Sequence, residues 1–363
     1  MTSLFAPLIL RELQIPNRVW MSPMCTYSAE PTGPLTGAPT DFHLAHYTAR
    51  AAGGVGLVMV EATGVRPEGR ISPWDLGLWS DAQERELGRL AASIAAAGAV
   101  PAIQLAHAGR KASVNKPWLG DNALGLDEHG WTPVGPSPIA FPGLPVPHEL
   151  TRDEIAEVVQ AFAASARRAL AAGFQAVEIH AAHGYLLHSF LSPLSNQRTD
   201  EYGGDLAGRA RIVLETIDAV RAVWPDGLPV MLRVSTTDWV AEDPEDDRAA
   251  WTVEDTIELT RLATARGVDL IDASSGGLVR ARIPHDRDYQ TRHAGRIRRA
   301  TGATVAAVGR IDDPAWATRL LEDGEADAVF LGRALLRDPS WANAAAVAVG
   351  GKPRYLEQYA YAV

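Results

Sequence analysis

Residues 151–180 read TRDEIAEVVQAFAASARRALAAGFQAVEIH and contain one helical pattern followed directly by one strand pattern. Apolar residues recur at helical spacing over Thr151–Ala172, Thr151 is a good N-cap residue, and Gly173 is a typical helix end. The next apolar run, Ala176–His180, is short and contains Val and Ile, as buried parallel strands do. A helix that leads into a buried strand is the repeating unit of α/β proteins.

The same unit recurs along the chain. Short runs rich in Val, Ile and Leu predict strands at Val19–Met24, Val55–Val60, Val100–Leu105, Ala176–His180, Val230–Val234, Leu270–Ala273, Thr304–Val308 and Ala328–Leu331. Helical spacing predicts helices at Asp81–Ala97, Thr151–Ala172, Gly208–Val223 and Val253–Arg266, with Asp81 as another N-cap and Gly98 and Gly267 as further helix ends. Strands that alternate with helices in this way predict a (β/α)8 TIM barrel, formed by one domain over residues 1–363. A doubly wound sheet is the alternative.

One interval interrupts the alternation. Residues 110–150 contain seven prolines, with Trp118, Trp131 and Phe141 among them. An insertion after the third strand lies at the C-terminal face of a barrel, so we expect this segment to cap the mouth. A linker between two domains is the alternative, although three aromatic residues argue against a solvated linker.

Composition limits the class of protein. The 363 residues carry 34 Lys and Arg against 44 Asp and Glu, a net charge of −10. Nucleic acids and anionic membranes select basic surfaces, so neither is an expected partner. Cys25 is the only cysteine, which excludes an intramolecular disulfide and any multi-cysteine metal site. With no signal peptide and no long apolar run, we expect a soluble, cytoplasmic protein.

Polar residues cluster where the predicted strands end, which is where barrel enzymes build their active sites. These clusters are Ser22–Tyr27, Gln104–Lys111, Glu178–Tyr185, Arg233, Gly309-Arg310 and Gly332-Arg333.

Five motifs within or near these clusters occur in order: SPMCTY from Ser22, QLAHAGRK from Gln104, HAAHGYL from His180, FLSP from Phe190 and NQRTDEYGG from Asn196. Together they resemble the Old Yellow Enzyme family of FMN-dependent ene-reductases, in its bacterial thermophilic-like or xenobiotic-reductase-like branch. The resemblance extends from Leu4 to Trp341. Any one motif could arise by chance, but five in order are specific.

The resemblance implies that tightly bound, non-covalent FMN is the cofactor. Its phosphate would be held by Gly309, Arg310, Gly332 and Arg333, since barrels commonly bind phosphate at the last two strands and arginine suits its geometry. A surface arginine after a turn glycine is the alternative for either pair alone.

The flavin ring would contact residues from several strand ends. Gln104 and Arg233 would face its pyrimidine side, where Arg233 stabilises the anionic reduced flavin. A salt bridge inside the barrel is the alternative for Arg233. The other ring contacts implied by the family, mostly through backbone and packing, are Ser22, Pro23, Met24, Cys25 and Ala62. Cys25 would also tune the flavin potential; its alternative is a small buried apolar residue.

The substrate would be held by His180 and His183, which donate hydrogen bonds to its carbonyl oxygen and stabilise enolate-like charge. The sequence leaves open whether the imidazoles are neutral or cationic. A zinc site is the alternative for this pair, but a third ligand is not evident. Tyr185 would be the proton donor to Cα, with simple packing at the mouth as its alternative. Tyr27 would bind the substrate on its carbonyl side.

The C-terminal segment 350–363 departs from the family. Relatives often place an arginine in a neighbouring protomer's pocket, within a Gln-Tyr-x-Arg segment, whereas this chain has Tyr361 at that position. We expect Tyr361 to cross a dimer interface and contact substrate; a disordered tail is the alternative. The oligomer implied by the family is a dimer or a tetramer.

The activity implied is that of an NADPH- or NADH-dependent ene-reductase with ping-pong kinetics. Reduced flavin would deliver hydride from N5 to the β-carbon of an activated alkene such as an enone, enal, maleimide or nitroalkene. The alternatives are a dihydroorotate-type dehydrogenase or oxidase, a flavin-free phosphosugar barrel lyase or isomerase, and a non-catalytic flavin-binding protein.

Overall fold

A computed structural model describes residues 3–362. Over this range the chain forms twelve strands: β1 (Leu8–Leu10), β2 (Leu13–Ile15), β3 (Val19–Met21), β4 (Leu57–Gly64), β5 (Val100–Ala106), β6 (Val134–Gly135), β7 (His148–Glu149), β8 (Ala176–Ala181), β9 (Val230–Ser235), β10 (Leu270–Ser274), β11 (Val305–Val308) and β12 (Ala328–Leu331).

Eight of these strands close into a barrel in the order β3-β4-β5-β8-β9-β10-β11-β12. Every pairing is parallel, and β12 pairs with β3 to complete the circle. The predicted (β/α)8 barrel is therefore confirmed, and the doubly wound alternative is wrong. All eight predicted strands are present.

Ten α-helices lie in the described range: α1 (Asp41–Ala52), α2 (Asp81–Ala96), α3 (Arg152–Ala171), α4 (Leu186–Leu191), α5 (Leu206–Arg221), α6 (Val253–Thr264), α7 (Thr291–Thr301), α8 (Pro314–Glu322), α9 (Arg333–Arg337) and α10 (Trp341–Ala348). Thr151 caps α3 as predicted, because its side chain accepts the Glu154 N–H. The predicted N-cap Asp81 is wrong, since Ser80 accepts the Gln83 N–H at the start of α2.

Two strand boundaries differ from the prediction. β3 ends at Met21 rather than Met24, because the proline at position 23 has no N–H to donate to a sheet. β4 runs on to Gly64, four residues past the expected Val60. The prediction stopped at the polar Glu61, but this carboxyl is satisfied inside the fold by the Tyr47 hydroxyl at 2.7 Å.

The apolar core has two layers. A large cluster fills the space between the outer face of the strands and the helices. A second cluster fills the barrel interior, where Trp20 and Phe330 pack edge to face with 5.3 Å between ring centroids. The hairpin β1–β2, which periodicity did not predict, places Leu10, Leu13 and Ile15 against this inner cluster. The hairpin thereby closes one end of the barrel and leaves the C-terminal ends of the strands open.

The segment 110–150 lies at the open end. Its Trp131 donates from Nε1 to the carbonyl of Glu68 at 2.9 Å, and Arg110 donates to the carbonyl of Ile139 at 3.2 Å. Trp118 packs edge to face against Tyr27, with ring centroids 5.8 Å apart. Among residues 3–362, no helix combines the length and the apolar character needed to cross a bilayer.

Candidate active site

Two adjoining cavities open among the C-terminal ends of the barrel strands, with volumes of about 690 and 210 Å³. They share Pro23, His183 and Arg233 in their walls. The larger cavity is also lined by Ser22, Met24, Gly309, Arg310, Gly332 and Arg333, and the smaller by Cys25, Tyr27, Ala62, Gln104, His180 and Tyr185. The structure therefore brings together every site residue predicted from the sequence, apart from Tyr361.

Tyr361 does not reach the cavities of its own chain. Residues 354–358 lie against the C-terminal ends of α1 and α2, near the N-terminal ends of the strands, and Arg354 donates to the Gly98 carbonyl at 2.8 Å. The Tyr361 side chain is 92% exposed. Its predicted contact with a neighbouring protomer stays a prediction, as does the oligomeric state.

Three aromatic side chains cluster at the end of β8. The rings of His180 and His183 are nearly perpendicular with centroids 5.2 Å apart, and the centroid of Tyr185 lies 5.0 Å from that of His180. Within residues 3–362, no group of three or more His, Cys, Asp or Glu side chains is arranged to hold a metal ion.

The histidines are neutral donors. His180 accepts the Ala182 N–H at Nδ1, at 3.2 Å, which leaves the proton of the neutral ring on Nε2. Burial lowers the pKa of His180 well below its usual range, and the charge of Arg233 lowers it further. Burial and Arg233 lower the pKa of His183 in the same way, and its Nε2 lies 2.7 Å from Ser274 Oγ. Each imidazole is uncharged at neutral pH and keeps one N–H.

The backbone around His183 is held in an unusual conformation. His183 has a φ of +61°, which is rare for a residue with a side chain. Its N–H donates to Ser235 Oγ at 2.9 Å. Lys111, the last residue of the QLAHAGRK motif, is partly buried and donates to the carbonyls of His183 and Gly277 at 2.8 and 3.0 Å. A Cβ on Gly277 would lie 2.7 Å from the His183 Cα, so only glycine allows this close approach.

The remaining hydroxyl and thiol groups of the small cavity stay protonated. Burial raises the pKa of Tyr185 and of Tyr27 above the usual range for tyrosine. Burial also raises the pKa of the Cys25 thiol, and the nearby carboxyls of Asp75 and Glu61 raise it further. Cys25 is therefore a thiol rather than a reactive thiolate.

Gln104 and Arg233, which line the smaller cavity, contact two acids, Glu178 and Asp272, that are fully buried beneath it. Gln104 donates from Nε2 to Glu178 Oε1 at 2.7 Å, and Arg233 donates from Nη1 to Ser22 Oγ at 3.1 Å. Arg233 Nε also lies 3.4 Å from Asp272 Oδ2. Glu178 was noted at a strand end but given no role, and Asp272 was not predicted, because acidic residues within apolar strand runs carry no motif. The alternation of side chains along those strands is the signal that could have placed them inside the barrel.

Cationic side chains line the larger cavity. Arg310 and Arg333 are exposed to it, and within residues 3–362 neither guanidinium pairs with a carboxylate. Arg310 instead donates to the carbonyl of His285 and lies over the ring of Tyr289, 5.2 Å from its centroid. Gly309 has a φ of +109°. These groups can receive a phosphate.

Comparison with known proteins identifies the family. A family model described as "NADH:flavin oxidoreductase / NADH oxidase family" matches residues 3–349. The chain belongs to this family. An NADPH dehydrogenase from Bacillus subtilis is 44% identical over 344 residues, which are 94% of each chain. An NADPH dehydrogenase from Geobacillus thermodenitrificans is 44% identical over 358 residues, 99% of this chain and 98% of that one.

Solved structures of related enzymes share the fold. A morphinone reductase in complex with tetrahydroNAD superposes with a TM-score of 0.77 at 27% identity, covering 98% of this chain and 93% of that one. An Old Yellow Enzyme homologue from Zymomonas mobilis superposes with a TM-score of 0.77 at 26% identity, covering 98% of this chain and 95% of that one. A 2-naphthoyl-CoA reductase in complex with 2-naphthoyl-CoA superposes with a TM-score of 0.83 at 26% identity, and this chain spans 52% of its length.

Membership of the NADH:flavin oxidoreductase family confirms the predicted Old Yellow Enzyme identity. The chain is an NAD(P)H-dependent oxidoreductase with non-covalent FMN as its cofactor. The residues present fit this cofactor, because Arg310 and Arg333, which pair with no carboxylate among residues 3–362, line the larger cavity, and a buried amide and guanidinium face the smaller one. The flavin-free phosphosugar barrel and the non-catalytic flavin-binding protein are therefore wrong.

Proposed function

We propose that this oxidoreductase reduces activated carbon–carbon double bonds, as found in enones, enals, maleimides and nitroalkenes. The observation that carries the proposal is the grouping of His180, His183 and Tyr185 in one small cavity beside Arg233. FMN, once reduced by NADPH or NADH, supplies the hydride that adds to the β-carbon. The protein side chains bind and polarise the alkene and supply the proton.

His180 and His183 are the groups that bind the activating oxygen of the substrate. As neutral donors they gain strength when enolate charge develops on that oxygen, because a hydrogen bond to a charged acceptor is stronger than one to a neutral carbonyl. Their positions are fixed before substrate binds, by the Ala182 N–H on His180 and by Ser274 beside His183. Preorganised donors of this kind need no rearrangement as the reaction proceeds.

Tyr185 is the proton donor to Cα in this proposal. Its raised pKa keeps the phenol protonated across the neutral range, so the proton is always present. An enolate carbanion is basic enough to take it. Tyr27 also lines the small cavity and would bind the carbonyl end of the substrate.

The cofactor would be held along both cavities. Gly309, Arg310, Gly332 and Arg333 would receive its phosphate, and Ser22, Pro23, Met24, Cys25 and Ala62 would contact its ring. Gln104 and Arg233 would meet the pyrimidine edge, where a fixed guanidinium stabilises added negative charge.

Anaerobic spectroscopy tests the proposal. The purified holoenzyme is titrated with NADPH and then with 2-cyclohexenone while the flavin absorbance is followed. We expect the bands to bleach with NADPH and to return with the enone. A His180→Ala/His183→Ala variant should bleach but return much more slowly with enone, while reoxidation by molecular oxygen proceeds. If the bands stay bleached in the native enzyme with every alkene class, the proposal of alkene reduction is overturned, and the protein remains an NAD(P)H-dependent oxidoreductase with another acceptor.

We further infer that the chain assembles into a dimer or tetramer in which Tyr361 enters a partner's substrate cavity. Truncation before Glu357 should then raise the KM for alkene without changing the rate of flavin reduction at saturating NADPH. Analytical ultracentrifugation of both forms checks assembly. An unchanged KM in a truncated protein that still assembles would contradict a role for the tail.

A further inference from the structure

Beneath the cavities, the barrel interior holds a cluster of charged and polar groups that the proposed chemistry does not use in full. Glu178 on β8 and Asp272 on β10 are both 0% exposed. Asp272 is the in-register partner of Arg233 on the intervening strand β9, and Gln104 on β5 is the in-register partner of Glu178. The four side chains therefore occupy adjoining positions on the inner face of the barrel.

The cluster contains two carboxyls and one guanidinium. Arg233 is the cation that both acids face, because its Nε lies 3.4 Å from Asp272 Oδ2 and its charge also acts on Glu178. Within residues 3–362, three of the four carboxyl oxygens lack a hydrogen-bond partner: Glu178 Oε2, Asp272 Oδ1 and Asp272 Oδ2. Two buried carboxylates with so few donors would carry a large desolvation cost.

Protonation of one of the two carboxyls removes much of this desolvation cost. Burial raises the pKa of Glu178 well above its usual range, and the neighbouring Asp272 raises it further. Burial raises the pKa of Asp272 to about 6, against the opposing effect of Arg233. The acid that faces the guanidinium more directly is thus the one that ionises first. The other acid keeps its proton and can donate it to Asp272.

We propose that Glu178 is a positioning residue, held as a neutral acid that shares its proton with Asp272. Arg233 is then balanced by a single negative charge, so the cluster beneath the cavities carries no net charge. Glu178 Oε1 meanwhile accepts from the Gln104 Nε2 group, which fixes the orientation of that amide at the cavity. The inference rests on the FMN site of the family and does not depend on which alkene is reduced.

Two variants distinguish a pair of acids that shares one proton from a pair in which both acids are ionised. Glu178→Gln replaces a neutral acid with a neutral amide of the same shape, so the flavin midpoint potential should not change. Glu178→Gln/Asp272→Asn leaves Arg233 without a counter-charge, so the reduced, anionic flavin should be favoured at least tenfold, about 30 mV for two electrons. If Glu178→Gln alone raises the potential as far as the double variant does, both acids are ionised and the proposal is overturned.

Infrared spectroscopy of the native holoenzyme provides a second readout that does not require the variants to be active. With isotope-labelled glutamate, we expect the carbonyl absorption of a protonated carboxylic acid above neutral pH, and its loss in Glu178→Gln. Absence of that band from the native enzyme would overturn the proposal even if the variants did not fold. Asp269→Asn is the matched control. Asp269 directly precedes β10, the strand that carries Asp272, but it lies at the far end of the barrel beside Arg11. Its loss should leave both the carboxylic acid band and the flavin potential unchanged.

Discussion

At the scale of single residues, the chemistry of the site depends on which groups carry protons. The surroundings keep Tyr185 and Cys25 protonated and His180 and His183 neutral, and burial is the main cause in each case. A cavity lined by neutral donors and one cation, Arg233, is suited to a reaction in which negative charge appears and then disappears.

Replacing Tyr185 tests the proton donor. Tyr185→Phe should slow reoxidation of the flavin by 2-cyclohexenone by about 10² to 10⁴, the usual loss for a general acid. Flavin reduction by NADPH should be unaffected, because that step needs no proton from this phenol. Stopped-flow measurement of each half-reaction distinguishes the two. Tyr202→Phe is the matched control, since that hydroxyl binds Glu215 away from the cavities, and equal slowing in both variants would contradict the role of Tyr185.

Cys25 offers a direct test of thiol protonation, because it is the only cysteine in the chain. Burial and the neighbouring acids Asp75 and Glu61 raise its pKa, so alkylation by iodoacetamide at pH 8 should be far slower than in the urea-unfolded chain. Mass spectrometry follows the reaction. Equal rates in the folded and unfolded protein would show that the thiolate is present and accessible.

At the scale of elements, contacts between two loops fix the position of His183. The turn after β8 carries His183 at positive φ and packs against the loop after β10, where Gly277 leaves no room for a side chain. Lys111 joins both loops through their carbonyls. The position of His183 therefore depends on contacts between backbones that no side-chain motif encodes.

A methyl group at Gly277 tests this contact. Gly277→Ala should displace His183 and raise the KM for alkene, because the new Cβ would lie 2.7 Å from the His183 Cα. Gly302→Ala is the control: Gly302 also has a positive φ, but open space surrounds it. That control should lose only about 1–2 kcal/mol of stability and keep its kinetics. Unaltered steady-state kinetics in folded Gly277→Ala would contradict the argument.

At the scale of the whole molecule, buried titratable groups set the response to acid. Burial lowers the pKa of six histidines: His43, His46, His107, His180, His183 and His293. It raises the pKa of four acids: Glu61, Asp75, Glu178 and Asp272. The histidines destabilise the fold as the pH falls below their unfolded pKa of about 6.5, and the acids act in the opposite direction.

The histidines outnumber the acids, so the free energy of unfolding should fall between pH 6.5 and pH 4. Unfolding in that window takes up protons on the exposed imidazoles, and each net proton contributes about 1.4 kcal/mol per pH unit. Urea denaturation of the holoenzyme at pH 4.5, 5.5 and 6.5, with proton uptake followed by calorimetry, measures the slope. Stability that rises on acidification would show that the buried acids dominate.

The sequence by itself determined the alternation of strands and helices that favours a barrel, the family and its cofactor, and every residue that lines the smaller cavity, but fewer than half of those that line the larger one. It could do so because apolar periodicity and contiguous motifs such as the one from His180 are properties of neighbours along the chain. Only the tertiary structure decided that β1 and β2 cover the base of the barrel, that Lys111 turns inward, and that Glu178 lies beside Asp272. Those contacts join residues far apart in sequence, and the protonation states at the site follow from the burial that the closed barrel creates.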